Sequence, residues 1–436
     1  MKKLTFLFFL TLSSSLHAEI TLTEVIQHTL KTNPDVLITI NNRRAADQEV
    51  KQAQGGYWPS IELTGGYGRE ISDNVTTRRA GGEMTLARQE IGLTLSQMLF
   101  DGFSVKHKVA QQNALLNSAT YKVKNTIENI ALLTTELYLE ILRRQEILNL
   151  SKDNVVVHQK TYEQVLMLVT GGAGQKADMQ QSTSRLALAK SNLVNAQGHL
   201  YNAQVNYQRV TDEFPNPETL IMPARAPIEA ALPASIDIAE DIALMNHPSL
   251  KVAQTELESA IAANQHAQSA FMPRLFLELG TSKNENLDGI EGDNDDVNVM
   301  LRMRYNLYRG GADKARSQET AERMNAAKEV IRRTQRIVKE NILLSWNNLI
   351  TIRARLDYLR THFRSTQEVL ESYKEQFKLG RRSLLDVLDS ENELFNARAS
   401  LVTAQYTEML SIFQLLESMG LLLDTLGIER PKEAHL

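Results

Sequence analysis

Residues 310–389 read GGADKARSQETAERMNAAKEVIRRTQRIVKENILLSWNNLITIRARLDYLRTHFRSTQEVLESYKEQFKLGRRSLLDVLD. From Ala312 to Phe377 there is neither proline nor glycine. At about 1.5 Å per residue, a helix of that length extends on the order of 100 Å, whereas a globular core uses helices of a few turns. Such a rod must lie beside other rods. The run breaks at Lys378-Leu379-Gly380-Arg381-Arg382-Ser383 and resumes as Leu384-Leu385-Asp386-Val387-Leu388-Asp389. The same plan occurs earlier, with Asp101-Gly102, a proline-free run to about Thr170, Gly171-Gly172-Ala173-Gly174, and then Asp178. The pattern predicts a duplicated long-helix hairpin.

A duplication leaves a constant offset between equivalent residues. Pro34 and Pro248, and likewise Pro59 and Pro273, are 214 residues apart. Gly102 and Gly310, Tyr138 and Trp346, and Asp178 and Asp386 are 208 apart, so the second copy lacks six residues between Pro273 and Gly310. The prolines punctuate this layout. Pro34 and Pro248 mark the first helix of each copy, Pro59 and Pro273 end it, and Pro215, Pro217, Pro223, Pro227 and Pro233 crowd the join. Because proline costs about 3 kcal/mol inside a helix, its absence from the long runs supports them as helices. The expected organisation is repeat 1 over 19–212, a proline-rich linker over 213–235, repeat 2 over 236–423 and a tail over 424–436. The helical hairpins fall at 102–212 and 310–423.

After each terminating proline the apolar period changes from helical to two, which is the strand signature. Ile61, Leu63, Gly65 and Tyr67 alternate with polar or small residues, as do Ile91, Leu93, Leu95 and Leu99 on the return. In the second copy Leu275, Leu277 and Leu279 go out, and Val297, Val299, Leu301, Met303, Tyr305 and Leu307 come back. Strands are expected at 60–70, 88–100, 274–283 and 296–308. Each has about the 10 residues that a tilted strand needs to cross a bilayer. Half-buried hairpins of a soluble α+β protein would show the same alternation. Against that, Glu278, Arg302 and Arg304 face the polar side of strands set between rods with no globular partner. Four strands cannot close a barrel, and an open edge cannot sit in lipid. A spanning chain must therefore oligomerise. The loop 284–296 is strongly acidic but lacks calcium-loop spacing, so it reads as a solvated surface loop.

Residues 1–18 read as a secretory signal, with Lys2 and Lys3, an apolar stretch Leu4–Leu12 and a small-residue exit before Glu19. No later segment approaches a transmembrane helix. The chain has no cysteine, which excludes disulfides, thiolate metal sites and lipid attachment through a cysteine. A net charge of -4 gives no footprint for nucleic acid. Nine scattered histidines and the lack of a nucleophile motif argue against an enzyme, a cofactor or a metal site. Gly171-Gly172-Ala173-Gly174-Gln175-Lys176 lacks the ending and the preceding strand of a phosphate loop. A periplasmic structural coiled coil would explain the rods but not the strands.

The helices beyond the tips carry heptads. Met179, Leu186, Leu193, Leu200 and Tyr207 recur with Ala189, Ala196, Ala203 and Val210 between them, and Val387, Leu394, Leu401 and Leu415 do the same with Ala397 and Ala404. Alanine at alternate seam positions lets antiparallel helices approach closely. The duplicated order of helix, two strands and helical hairpin, the prolines at 59 and 273, and above all the segment Phe377–Asp389 make the chain resemble the TolC family of outer-membrane channels. The resemblance runs over essentially the whole chain after residue 18.

The resemblance implies a mainly α fold with a transmembrane β-barrel: a homotrimer whose twelve strands close in outer-membrane lipid and whose helical hairpins form a tunnel through the periplasm. It further implies docking on a periplasmic adaptor bound to an inner-membrane transporter, an ABC transporter for type I secretion or an RND pump for efflux. Within that family pattern, Asp386 and Asp389 line the narrow periplasmic end as two acidic rings. Arg382 matches a gate-locking arginine and Asp178 its acidic partner on the neighbouring hairpin. Phe377 stands where the family places a tyrosine, and Ala177 where it places a hydroxyl residue. The tips Gly171, Gly172, Gly174, Leu379, Gly380, Arg381 and Ser383 would meet the adaptor. Gly55–Pro59 and Leu63–Gly68 are most similar to the branch that secretes large adhesins.

Overall fold

A computed structural model describes residues 19–436, and the expected signal segment lies outside the described residues. In chain order the elements are α1 (Leu22–Thr32), α2 (Pro34–Gln54), β1 (Ser60–Ser72), α3 (Val75–Arg79), β2 (Met84–Phe100), α4 (Ser104–Thr170), α5 (Lys176–Thr211), α6 (Arg225–Ala230), α7 (Ile236–Asn246), α8 (Pro248–Gln268), β3 (Arg274–Glu285), β4 (Asp293–Arg304), α9 (Ala312–Lys378), α10 (Leu384–Ser418) and α11 (Leu422–Thr425). The duplication is visible in the lengths. α4 and α9 each have 67 residues, α2 and α8 each have 21, and α5 and α10 have 36 and 35. Among the described residues no helix is long and apolar enough to cross a membrane. The chain divides into two compact units.

One unit comprises residues 38–125, 248–337 and 431–436 and holds the sheet. α2 and α8 each begin at a proline, whose missing N–H costs nothing in a first turn. Each helix runs into a short 3₁₀ turn, Gly55–Tyr57 or Ser269–Phe271, and the next proline releases the chain into a strand. The strands are antiparallel in the order β1-β2-β3-β4. Register fixes the faces, since directly paired residues point the same way. Ile61, Leu95, Leu279 and Val299 form one row across the sheet, and Leu63, Leu93, Thr281 and Val297 the next on the same face. The opposite face carries Glu62, Thr94, Gly280 and Asn298 in a row, with an ion pair from Arg302 to Glu278 beside it. The apolar face is uncovered: Leu63 is 70% exposed, Val297 78% and Leu301 66%. Among the described residues both outer strands, β1 and β4, lack a partner on one side.

The strand limits differ from the sequence reading. β1 extends to Ser72 and β2 starts at Met84, so the expected loop shrinks around the short α3, whose N-terminus Asn74 caps. β3 reaches Glu285, and β4 is Asp293–Arg304 rather than 296–308. The shift follows from pairing. Arg274 is the first residue after Pro273 and pairs with Arg304, so Tyr305 to Tyr308 meet no strand. At the other end Glu285 pairs with Asp293, which draws half of the acidic loop into the ladder. The turn from β2 into α4 is tight. Asp101 accepts a 2.7 Å hydrogen bond from the Val105 N–H, and Gly102 has φ +68°, where an added Cβ would lie 2.5 Å from Met272 Cβ.

The other unit comprises residues 19–37, 126–247 and 338–430. Its core is built from Ile127, Tyr138, Ile141, Ile342, Leu356, Leu388 and the run Ile412, Phe413, Leu415 and Leu416. The seam of α5 buries Leu186, Ala189, Ala196, Leu200, Ala203 and Tyr207, and that of α10 buries Val387, Ala397, Ala404 and Leu415. The join between repeats is pinned rather than free. Ile20 pairs with Leu220 in a parallel bridge, and the buried Tyr138 hydroxyl lies 2.8 Å from the Ile20 carbonyl and 2.7 Å from that of Ile221 while accepting from the Ile221 N–H at 2.9 Å. Asn33 donates to the Val210 carbonyl at 3.0 Å and caps the next helix by accepting from the Asp35 N–H. α6 is held through Arg225, which joins Arg353 on the buried carboxylate of Glu408.

Two stability predictions arise here. Tyr138→Phe strips these backbone groups of a buried partner and should cost about 1–3 kcal/mol, read as a lower unfolding midpoint in detergent. Near the C-terminus, Arg430 bonds Glu128 at 3.2 Å and Asp424 at 2.8 Å. Burial, with the Glu128 carboxylate nearby, pushes Glu417 up to about 7. A carboxyl whose pKa rises on folding contributes stability that is complete below its unfolded value and fades as pH rises through the folded one. Glu417 therefore withdraws stability as pH rises from 5 to 8, and Glu417→Gln should remove that part of the pH dependence of the thermal midpoint.

Candidate functional site at the hairpin ends

α4 and α5 are joined by a turn in which Gly171 N–H reaches the Met167 carbonyl at 3.0 Å and both Ala173 and Gly174 reach that of Leu168 at 2.9 Å. Gly172 has φ +79°, and a Cβ on Gly174 would meet Val169 N at 2.9 Å, so glycine is required at both. The second tip closes the same way, with Gly380 at φ +70° bonding the Phe377 carbonyl and Arg381 bonding that of Gln376. Ser383 then starts α10 as a capping box. Its hydroxyl accepts from the Asp386 N–H at 3.2 Å and donates to the Asp386 carboxylate at 2.9 Å, which also accepts from the Ser383 N–H at 3.3 Å. Under the tips, Val165, Leu384 and Leu388 form an apolar cluster against which Val169, Met179 and Phe377 pack.

Arg382 folds back along its own hairpin. Its guanidinium stacks 4.1 Å from the Tyr373 ring centroid, donates to Gln376 at 3.1 Å and lies 3.7 Å from Asp386. Among the ion pairs of the described residues, none joins Arg382 to Asp178 within one chain. The stacking partner Tyr373 lies one helical turn before Phe377, on the same face of the helix. Phe377 itself is spent on packing. Tyr373 was legible as an i, i+4 neighbour of Phe377, but the backward fold of Arg382 was not.

The two aspartates share a helix face but not a destination. Asp386 is held by Ser383, while Asp389 pairs with Arg185 of α5, a residue the sequence pattern did not single out. Arg185 and Asp389 line a cavity of about 350 Å³ together with Asn392 and Asn396. The Ser383 hydroxyl, with help from its backbone N–H and Arg382, holds the Asp386 carboxyl below the usual carboxylate range.

Chain-wide comparison bears on what these hairpins belong to. The family model described as outer membrane efflux protein matches residues 25–211 and 241–421, most of both repeats. The chain belongs to the outer membrane efflux protein family. It is similar to the outer membrane efflux protein BepC of Brucella suis, 24% identical over 421 residues that cover 95% of this chain and 90% of BepC. It is also similar to the outer membrane protein TolC of Vibrio cholerae, 25% identical over 94% of this chain and 93% of TolC. The solved Campylobacter jejuni CmeC outer membrane channel shares the fold, with a TM-score of 0.79 at 16% identity, covering 92% of this chain and 86% of CmeC. This outer membrane efflux protein is thus an outer-membrane protein with helical hairpins and one four-stranded sheet per chain.

Removing the cap tests the local electrostatics. Ser383→Ala deletes the largest contact that stabilises the Asp386 carboxylate, so this carboxyl should titrate at a higher pH than in the native chain. Carboxyl NMR with selectively labelled aspartate reads the shift directly.

Proposed function

We propose that three copies of this outer membrane efflux protein close a twelve-stranded barrel and act as a non-enzymatic outlet from the periplasm to the exterior. The observation that carries this reading is the sheet itself. It has an uncovered apolar face, a polar opposite face and two unpaired edges, a combination that suits lipid only in a closed barrel. Two copies would give eight strands, the smallest transmembrane barrel, and three give the twelve that the TolC-family resemblance implies. In that assembly the tips Gly171, Gly172, Gly174, Leu379, Gly380, Arg381 and Ser383 face an adaptor of an inner-membrane transporter.

Asp386 and Asp389 then stand at the periplasmic end in three copies, where rings of carboxylates favour cations. Arg382 acts as the gate lock through Tyr373, Gln376 and Asp386, with Asp178 reached on a neighbouring hairpin of the assembly. We assign the outlet to type I secretion of a large adhesin-like protein through an ABC transporter, on the likeness of Gly55–Pro59 and Leu63–Gly68 to that branch. Drug efflux with an RND pump is the second reading, favoured by the efflux designation of BepC.

Planar bilayers test the conduit and deletion strains its cargo. Arg382→Gln should raise single-channel conductance, and unchanged currents would remove its locking role. Asp386→Ala with Asp389→Ala should weaken cation preference, seen as a reversal potential moving towards zero under a salt gradient. A deletion strain that loses a large surface protein at unchanged dye and detergent tolerance supports secretion. Hypersensitivity with normal secretion establishes efflux instead.

A further inference from the structure

Below the tips, α4, α9 and α10 meet at a polar cluster that no role described above uses. Glu391 on α10 is buried, with its side chain only 4% exposed, and one of its oxygens lies 3.2 Å from Nζ of Lys374 on α9. Its other oxygen faces Nδ1 of His158 on α4 at 3.7 Å, and that side chain is 3% exposed. Among the described residues no group hydrogen-bonds either His158 Nδ1 or this second Glu391 oxygen. The facing pair bridges the first hairpin, which supplies His158, and the second, which supplies Glu391.

The surrounding charges decide what a proton would do here. The cavities on either side of Lys374 and Glu391 are further lined by Asp153 and Lys160 of α4, Glu371, Glu375 and Lys378 of α9, and Arg398 of α10. Arg185 of α5, paired with Asp389 of α10, completes the set. Five cations thus stand with five carboxyl groups, of which burial pushes Glu391 up against the pull of Lys374, and a proton on His158 adds a sixth cation. A proton on His158 places a charge on a buried side chain, next to a buried carboxylate that Lys374 already contacts. Burial, reinforced by Arg185 and Lys374, accordingly holds His158 below the usual imidazole range.

We propose that His158 is an acid-sensitive switch: when it takes a proton, the first hairpin loosens from the second at the His158, Lys374 and Glu391 contact. The sign follows from linkage between hairpin arrangements. An imidazole that resists protonation when packed, and titrates normally when the hairpins part, makes acid favour the parted arrangement as pH falls through about 6.5. Asp386, held below the ordinary carboxylate range, stays charged through that window and does not mimic the response. The consequence for gating rests on the proposed outlet function, and the separation of the hairpins does not.

The absence of native cysteine makes the test clean. Spin labels on Val156→Cys of α4 and Asn396→Cys of α10, both exposed and neither one of the charged groups named above, report the distance between hairpins by pulsed electron resonance in the full-length assembled protein. A shift to longer distances between pH 7.5 and 5.5 that disappears in His158→Gln supports the switch. Lys374→Met, which removes one of the repelling cations, should shrink the same shift and serves if the glutamine variant does not fold. No shift in the native sequence, or one that persists undiminished in the folded variants, overturns it. Conductance recorded on the same samples separates the two readings. Silent bilayers with an intact distance shift would fail the outlet reading and leave the switch standing.

Discussion

The governing constraint is that backbone N–H and C=O groups in hydrocarbon must find partners within protein. Among the described residues, β1 and β4 each leave a whole strand edge unpaired, 13 and 12 residues long, along a sheet whose apolar face none of those residues covers. Soluble proteins blunt such edges with charge, proline or bulges. Here the apolar residues continue to both edges, through Ile61, Leu63 and Tyr67 on one and Val297, Val299 and Leu301 on the other. The proposed closed barrel of several copies is the arrangement that satisfies every edge.

The helical part solves a different problem. Rods of 67 residues gain little from intrinsic propensity alone and depend on a continuous seam. Alternating large residues and alanines along α5 and α10 supply that seam. Where the seam meets charge, the structure pairs it, as at Arg225 and Arg353 on Glu408 or Arg430 on Glu128. His158 facing Glu391 is one place where that pairing stays incomplete, and it lies next to the tips.

Much of the fold was legible because it is local and duplicated. Proline positions, the change of period at Pro59 and Pro273, and the proline-free runs are properties of the chain itself, and two copies at fixed offsets reinforce one another. Strand ends were less legible. Glu285 and Asp293 read as loop until each is seen to be the other's partner, and Tyr305 and Leu307 continue the alternation after β3 has run out. The contacts of the candidate site residues were not legible. Which way Arg382 turns, that Asp389 meets Arg185, and that Glu391 faces His158 all depend on the rotation of one helix against another, which sequence spacing does not determine.

The most direct test of the account joins the two free edges. Within one chain β1 and β4 are separated by two strands, so a disulfide between them can form only between chains. Cysteine at Leu63, paired in turn with cysteine at Val297, Val299, Leu301 or Met303, scans the register in oxidised outer membranes. The account predicts that at least one pair yields a covalent ring of three chains that migrates as a trimer without reductant. Monomers at every pair, with the chain recovered in the soluble periplasmic fraction, would contradict it.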